Sequence, residues 1–171
     1  VQTATITLTG ANDQPIAFDL NITASEDGGP VVDVFDANDA DLIDDGNLTF
    51  TILNQPAEGS VSIDSADDTQ FIFDPGTAFQ DLAAGETREV TFTYTADDGQ
   101  GAANSVSEPA TVTVTVTGVN DDPVATDDAG TGFTTDESTT FTTGNVLTND
   151  TDTDTSDTLN ILSIDVTSTN G

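Results

Sequence analysis

Alternation between threonine and aliphatic side chains is the strongest constraint on the fold of this 171-residue chain. Val112, Val114 and Val116 occupy every second position of residues 111–117, and residues 90–94 alternate in the same way. Successive side chains of a β-strand point to opposite faces, so this period of two indicates strands with one buried and one solvated face. Threonine is β-branched and favours strand even where it is exposed. No window shows helical spacing, and the sequence therefore predicts an all-β protein with antiparallel sheets.

The chain contains an internal repeat of domain length. Residues 5–17 (TITLTGANDQPIA) match residues 113–125 (TVTVTGVNDDPVA) at an offset of 113 − 5 = 108 positions. A second match aligns residues 38–41 (NDAD) with residues 149–152 (NDTD) at an offset of 149 − 38 = 111 positions. A period this long indicates a domain rather than a solenoid turn. We therefore expect residues 1–10 to be the last strand of a preceding repeat, 11–118 a complete domain, and 119–171 the first half of a following repeat.

Several short strands separated by turn residues indicate a β-sandwich with Greek-key connections. Beyond the alternating segments, which include residues 2–9, strands are predicted at 17–23, 31–35, 47–53, 60–64, 70–74 and 158–166. Clusters of Asp, Gly, Asn and Pro at 26–30, 44–47, 74–76 and 97–99 are typical of turns. The inward-facing positions predict a core that consists of Phe50, Ile52, Val61, Ile63, Phe71, Phe73, Phe92, Tyr94, Val112 and Val114.

The charge composition excludes several classes of function. The chain has 32 acidic residues against one basic residue, Arg88, and it contains no His, Cys, Met or Trp. A histidine-based triad, a thiol nucleophile and a lysine Schiff base are therefore impossible. A net charge of −31 disfavours nucleic acid and anionic membranes as partners, and no apolar run approaches the roughly 20 residues of a membrane span. A carboxylate pair for glycoside hydrolysis is conceivable, but no acidic pair stands apart from the rest, and no enzymatic function is expected.

The acidic residues are concentrated between the predicted strands. Of the 32, 26 are Asp and six are Glu. Oxygen ligands suit Ca²⁺ and Mg²⁺, and because Ca²⁺ takes six to eight of them, several loops must usually contribute to one calcium site. Two other interpretations remain open: a salt-adapted surface, and Asp side chains that cap their own turns. Residues 150–154 (DTDTD) begin like an EF-hand loop, but Thr155 and Ile161 stand where that loop needs Gly and Glu.

Several short motifs occur in the order found in cadherin repeats. Residues 120–123 (NDDP) are similar to the Asn-Asp-Asn-x-Pro linker of cadherins, and residues 39–41 (DAD) followed by 48–52 (LTFTI) are similar to Asp-Ala-Asp and Leu-x-Tyr-x-Ile. Residues 79–87 (FQDLAAGET) and 94–99 (YTADDG) resemble the cadherin-like, VCBS-type repeats of giant bacterial calcium-dependent surface adhesins, and residues 145–152 (NVLTNDTD) resemble the start of a sister repeat. The resemblance covers nearly the whole chain.

This resemblance implies a tandem array of cadherin- or immunoglobulin-like β-sandwiches with Ca²⁺ bound at the domain junctions. At the second junction it implies the ligands Glu26, Asn120, Asp121, Asp122, Asp150, Asp152 and Asp154, with Glu86 as a weaker candidate. At the first junction it implies Asn12, Asp13, Asp39, Asp41 and either Asp97 or Asp98. The sequence departs from the family at residues 87–89, where Thr-Arg-Glu replaces the usual Asp-Arg-Glu.

The functional expectation that follows is an extracellular spacer on a bacterial cell surface. Its partners would be neighbouring repeats, joined through calcium-filled junctions, while other domains of the protein would bind a cell-surface or biofilm ligand. Two alternatives stay open at this point: a glycan- or peptide-binding module of the same adhesin, and a filament subunit joined head to tail by strand donation.

Overall fold

The computed structural model describes residues 2–41, 47–128, 138 and 142–162. Within these residues the chain forms nine β-strands and no helix. The strands are β1 (Ile16–Ala17), β2 (Leu20–Ser25), β3 (Val31–Val34), β4 (Ala37–Asn38), β5 (Thr49–Ile52), β6 (Ser60–Ile63), β7 (Gln70–Asp74), β8 (Thr87–Asp97) and β9 (Ala110–Thr117). No helix long and apolar enough to cross a membrane occurs in the described part of the chain.

The strands form two main sheets. One has the order β2-β9-β8-β5 and the other the order β3-β7-β6, while β1 and β4 make a short separate ladder. The long β8–β9 pair is antiparallel, as the alternation predicts, but β2 pairs with β9 in parallel, with Leu20 opposite Val112. The expectation of purely antiparallel sheets was therefore wrong at this edge. Parallel neighbours need a long connection, and strands β3 to β8 supply one here.

The core lies between the two sheets and confirms the prediction of an all-β sandwich. Seven of the ten predicted core residues are buried, namely Val61, Phe71, Phe73, Phe92, Tyr94, Val112 and Val114. Phe50, Ile52 and Ile63 are partly buried and pack against them. Burial of each large apolar side chain contributes about 1.5–3 kcal/mol, so this interdigitated layer holds the sheets together. Phe35 was not predicted, and its ring stacks on Phe50 with centroids 4.7 Å apart.

Tyr94 connects this core to the end of the domain that carries the first linker. Its hydroxyl lies 2.7 Å from the carbonyl oxygen of Phe18 and 2.8 Å from that of Asp36. Because Tyr94 is fully buried, these bonds satisfy an otherwise costly polar group and fix the chain on both sides of the β1–β4 ladder. The chain leaves β4 directly into Asp39, so the ladder determines where that carboxylate lies.

Two predicted strands are not formed in the described residues. Residues 2–10 are unpaired, and Ile6 and Leu8 are 84% and 93% exposed. An alternating pattern gives a segment the capacity to pair, but a strand also needs a neighbour for its backbone groups. Of the strand predicted at 158–166, residues 158–162 are not strand, and 163–166 lie outside the described residues, as do residue 1 and positions 44–46 of one predicted turn. The proposed domain limits at 10/11 and 118/119 stay predictions.

Candidate metal sites at the two linkers

The upstream linker, residues 12–15, docks on the loop that follows β4. The backbone N–H of Asp13 donates to Asp41 Oδ2 at 2.8 Å, and the N–H of Asp41 donates to Asp39 Oδ1 at 2.7 Å. The side-chain amide of Asn12 donates to Asp98 Oδ2 at 2.9 Å. We call Asn12, Asp13, Asp39, Asp41 and Asp98 the upstream cluster. Five oxygen-bearing residues that were predicted as ligands are therefore brought together by contacts between three loops.

Asp98, rather than Asp97, faces the upstream linker. Asp97 accepts the N–H of Gly99 at 2.8 Å and so caps its own turn. Asp98 is buried, which opposes ionisation, but hydrogen bonds from the Gln100 amide and from the Asn12 and Ser105 side chains outweigh burial and lower its pKa. Protein donors therefore already stabilise this carboxylate in its charged form.

The downstream linker, residues 120–123, joins the end of the sandwich to the chain that follows. The N–H of Val119 donates to Glu26 Oε1 at 2.6 Å, and the N–H of Asp121 donates to Asp154 Oδ2 at 2.9 Å. The N–H of Asp154 in turn donates to Asp152 Oδ1 at 3.0 Å. Glu26, Asn120, Asp121, Asp152 and Asp154 form the downstream cluster. It combines carboxylates from the first unit, the linker and the second unit.

Two carboxylates of the downstream cluster are almost completely buried and incompletely paired. Glu26 is 2% exposed and Asp154 is 1% exposed. Glu26 Oε2 and Asp154 Oδ1 are buried and have no hydrogen-bond partner. A buried carboxylate oxygen without a partner carries a desolvation cost of several kcal/mol. Ca²⁺ prefers hard oxygen ligands, so the donor chemistry present here fits the ion that the resemblance implied.

The charges of the downstream cluster repel one another. Burial raises the pKa of Glu26; the Val119 N–H acts in the opposite direction, and Asp27, Asp121 and Asp154 raise it further. The pKa of Asp121 is also raised, first by burial and then by repulsion from neighbouring acids, of which Asp27 is the largest contributor. No positive charge offsets the burial of either group, and the single Val119 N–H bonded to Glu26 does not outweigh it. A divalent cation would supply that charge.

The ladder register corrects the sequence alignment of the second unit. In the first unit Ile16 lies opposite Asn38, and in the second Val124 lies opposite Thr151. The offsets are 124 − 16 = 108 and 151 − 38 = 113, so Asp152 and Asp154 correspond to Asp39 and Asp41. The alignment at offset 111, which placed Asp150 and Asp152 there, was wrong by two positions because matching letters do not set backbone pairing.

The remaining predicted ligands lie outside the contacts that form the two clusters. Asp150 Oδ1 accepts the N–H of Thr126 at 2.8 Å, and Asp122 is exposed on the linker. Glu86 Oε2 accepts the N–H of Ala83 at 3.1 Å within its own turn. Within residues 2–41, 47–128, 138 and 142–162, no three carboxylates converge closely enough to define a complete metal site. Ligation at each position therefore stays a prediction.

Two residues of the linker regions were missed by sequence reasoning. Asn104 donates its side-chain amide to the carbonyl oxygen of Asn12 at 2.6 Å and so anchors the upstream linker. Asp27 raises the pKa of both Glu26 and Asp121 by repulsion. Its position next to Glu26 in a turn was the available signal, whereas nothing in the sequence relates Asn104 to Asn12.

A sandwich of two sheets in Greek-key order, with Asp- and Asn-rich linkers at both ends, defines a cadherin-like domain. A family model of the bacterial cadherin-like domain matches residues 12–118, and the chain therefore belongs to that family. A search of curated proteins finds no match to this chain. Domains of the family are typically extracellular, generally bind calcium and are typically not enzymes.

Proposed function

We propose that this chain is an extender segment, of the VCBS type, from a bacterial surface adhesin. In this proposal Ca²⁺ at the linkers holds successive sandwiches end to end, so that the array keeps a distal binding module away from the cell. The observation that supports it most directly is that Glu26 and Asp154, two buried carboxylates from opposite sides of one linker, lie near enough for Asp154 to raise the pKa of Glu26 by repulsion.

Electrostatic repulsion opposes docking of the two units when no ion is bound. Each of these carboxylates has one buried oxygen without a partner, and the acids around them add repulsion. Separation of the two units would relieve both costs by exposing the oxygens to water. A bound Ca²⁺ reverses this balance, because ligands from both units then hold one ion, and bending at residues 120–123 would break coordination. Binding to the folded, docked form also stabilises that form by mass action.

The ligand set that we propose follows the contacts. Downstream, it comprises Glu26, Asn120, Asp121, Asp152 and Asp154, with Asp150 and Asp122 less well placed. Upstream, it comprises Asn12, Asp13, Asp39, Asp41 and Asp98, with Asp97 engaged in its own turn. The amide of Asn12 donates through Nδ2 to Asp98, which leaves its Oδ1 as the atom that would contact the ion.

The position of the aromatic side chains favours a spacer over a glycan- or peptide-binding module. Binding sites for such ligands need exposed rings beside polar groups. In the part of the chain that the structure describes, Phe18, at 39%, is the exposed aromatic residue, and the other rings are buried or pack on the core. Support for that alternative would have to come from Phe18 or from a ring outside the described residues.

Small-angle scattering with and without calcium tests the proposal. We expect the wild-type chain to become more extended and less variable in shape when calcium is added after chelation. The double variant Glu26→Gln/Asp154→Asn should lose this response, while the control Asp68→Asn/Glu108→Gln, with the same change in charge at exposed positions, should keep it. Superimposable profiles for the wild type with calcium and with chelator would contradict the proposal.

A further inference from the structure

We propose that the turn at residues 79–86 forms a second, metal-independent contact between the two units, and that Arg88 positions it. We call this contact the turn latch. It goes beyond the calcium proposal because none of its bonds involves an atom that the proposal assigns to an ion.

The contact itself consists of two hydrogen bonds to one carbonyl oxygen. The backbone N–H of Thr155 donates to the carbonyl oxygen of Asp81 at 3.2 Å, and the Thr155 hydroxyl donates to the same oxygen at 3.1 Å. Thr155 directly follows Asp154, whereas Asp81 belongs to the sandwich. All of these groups are uncharged, so the bonds need neither a cation nor a particular protonation state.

The turn presents this carbonyl on a rigid support. The N–H of Leu82 donates to Phe79 O at 3.0 Å, and both side chains are buried in the core. The N–H of Gly85 donates to Gly118 O at 3.0 Å, and the N–H of Gly118 donates to Glu86 O at 2.8 Å. The turn is thus fixed to Gly118, two residues before the downstream linker begins, and movement of the turn would move the linker.

Arg88 holds the side chain of Asp81 through a bidentate ion pair. Its Nη2 lies 2.7 Å from Asp81 Oδ2, and its Nη1 lies 3.1 Å from Asp81 Oδ1. The guanidinium also contacts Glu58 at 3.2 Å and lies over the Phe79 ring at 5.9 Å. A planar guanidinium bound through two nitrogens sets the orientation of a carboxylate, which a single point charge does not. Arg88 is the one basic side chain in the sequence, and its position orients the residue whose carbonyl meets Thr155.

The same turn also bonds to a residue beside the downstream cluster, on the sandwich side of the linker. The Gln80 side-chain amide donates to Asp27 Oδ1 at 3.1 Å, and Asp27 is next to Glu26. Gln80 and Asp81 therefore bond to residues on both sides of the linker, namely Asp27 in the sandwich and Thr155 in the unit that follows. Loosening of the turn would shift the residues that it contacts on both sides of the linker without removing a predicted ligand. Arg88 therefore acts as a positioning residue.

Amide hydrogen exchange, measured by NMR in excess chelator, tests the turn latch directly. We expect the Thr155 amide to exchange about tenfold faster in Arg88→Gln than in the wild type, because the charge-assisted pair that holds Asp81 is lost. Two other amides report whether each unit stays folded: Thr151, which donates to Val124 O, and Phe35, which donates to Thr69 O within the sandwich. Their rates should change little.

Two further variants separate positioning from a general loss of charge. Glu58→Gln removes the other partner of Arg88 but leaves the Arg88–Asp81 pair, so Thr155 should keep its protection. Arg88→Lys keeps the charge without the planar fork and should restore protection only in part. An exchange rate at Thr155 that is the same in the wild type and in Arg88→Gln overturns the proposal, whether that common rate is fast or slow.

This test is independent of the proposed function because it is carried out without calcium. If the wild type binds no calcium while Thr155 is protected in an Arg88-dependent way, the calcium proposal is wrong and the turn latch holds. If calcium binds with the expected change in shape but Thr155 exchanges equally in both proteins, the opposite conclusion follows. Where both hold, calcium should bind several-fold more weakly to Arg88→Gln than to Glu58→Gln.

Discussion

The upstream and downstream linkers have the same local chemistry but differ in which of their acids are buried. In both, the N–H of the second linker residue donates to the second Asp of an Asp-x-Asp loop, at 2.8 Å to Asp41 and at 2.9 Å to Asp154. Asp41 is half-buried, whereas Asp154 is 1% exposed. At the equivalent Asp39 and Asp152 the order is reversed, because Asp39 is buried and Asp152 is half-buried, so the two loops bury different members of the Asp-x-Asp pair.

The two clusters also differ in how their charges are compensated. The pKa of Asp98 in the upstream cluster is lowered by protein donors that outweigh burial, whereas burial and repulsion raise the pKa of Glu26 and Asp121 downstream. Within the described residues, Glu26 has no counterpart upstream and Asp98 has none downstream. In the proposed array, a junction that combines both clusters would have a Glu in the preceding unit, an Asn-Asp linker, and an Asp-x-Asp loop with a donor-stabilised Asp in the following unit.

The largest expected effect comes from the glycine that precedes each linker. A Cβ at Gly118 would lie 2.5 Å from the carbonyl oxygen of Leu82 and would also overlap that of Ala83, whereas a Cβ at the equivalent Gly10 meets nothing within 4 Å. Gly118→Ala should lower the free energy of unfolding by about 3 kcal/mol, because backbone atoms must move. Gly10→Ala should have almost no effect. Urea unfolding of the two variants measures the difference, and equal stabilities would show that the turn at 79–86 is not packed on Gly118.

Removal of the buried downstream charge should have effects of opposite sign with and without calcium. Asp154→Asn keeps an oxygen that can accept the Asp121 N–H but removes the charge of a buried carboxylate. We expect calcium affinity to fall roughly tenfold to hundredfold, since a charged ligand is lost. In chelator the same variant should be more stable than the wild type by about 1 kcal/mol, because an uncompensated buried charge is gone.

The upstream counterpart is the control for that result. Asp41→Asn changes the same position of the loop at a half-buried site, so the gain in chelator should be absent and the loss of affinity smaller. Calorimetric titration and thermal unfolding of both variants give the two quantities. A destabilisation by Asp154→Asn in chelator as well as in calcium would identify Asp154 as a structural cap and remove the main support for a metal there.

The opposite pKa shifts predict an unusual response of the calcium-free protein to acid. Glu26 and Asp121 have raised pKa values when folded, so their protonation favours the folded state, and stability should rise as the pH falls through those values. Asp98, Asp67 and Asp81 have lowered pKa values. Their contribution is present above the unfolded pKa and is lost as the pH falls through the folded values, so stability should then decline.

With calcium bound, the rise on mild acidification should disappear. Protons compete with the ion for the same oxygens, so the calcium-dependent stability should only decrease as the pH is lowered. Thermal unfolding between neutral and strongly acid pH, with calcium and with chelator, gives the two curves. Glu26→Gln should reduce the rise in chelator, and an unchanged rise in that variant would mean that Glu26 does not contribute to it.

The same comparison shows what could be predicted from the sequence. Alternation identified β8, β9 and most of the core, because the period of hydrophobic residues reports which face is buried. It does not report which strand lies alongside, and the parallel β2–β9 pair was missed for that reason. Burial of Phe35, which no alternating pattern marks, arises from its contacts with Phe50 and Tyr94 across the sandwich.

For the linkers, residue types predicted where the two clusters lie, but matching letters between the repeats gave the wrong register for the Asp-x-Asp loop. The Asn-Asp motifs marked both clusters, but counting along matched letters selected Asp150 where the backbone pairing places Asp152. The Asp81–Thr155 contact uses a main-chain carbonyl, a group that every residue carries, so no side-chain pattern could predict it. The sequence shows that Arg88 is surrounded by a large excess of acidic residues, but only the folded structure shows that Asp81 is one of its partners.

The smallest expected effect concerns the one clear difference in sequence between the linkers, Gln14 against Asp122. The Gln14 side-chain amide donates to the carbonyl oxygen of Val106 at 2.6 Å, and Val106 is bridged to Asp97 in the strand that leads to Asp98. Gln14→Asp removes this bond at an exposed site and should cost about 0.5–1 kcal/mol, measured by urea unfolding in calcium. Asp122 is exposed, so Asp122→Gln should change stability by less than about 0.5 kcal/mol. If the two substitutions had equal effects, the bond to Val106 would contribute nothing, and the upstream linker would be held by Asn12, Asp13 and their partners alone.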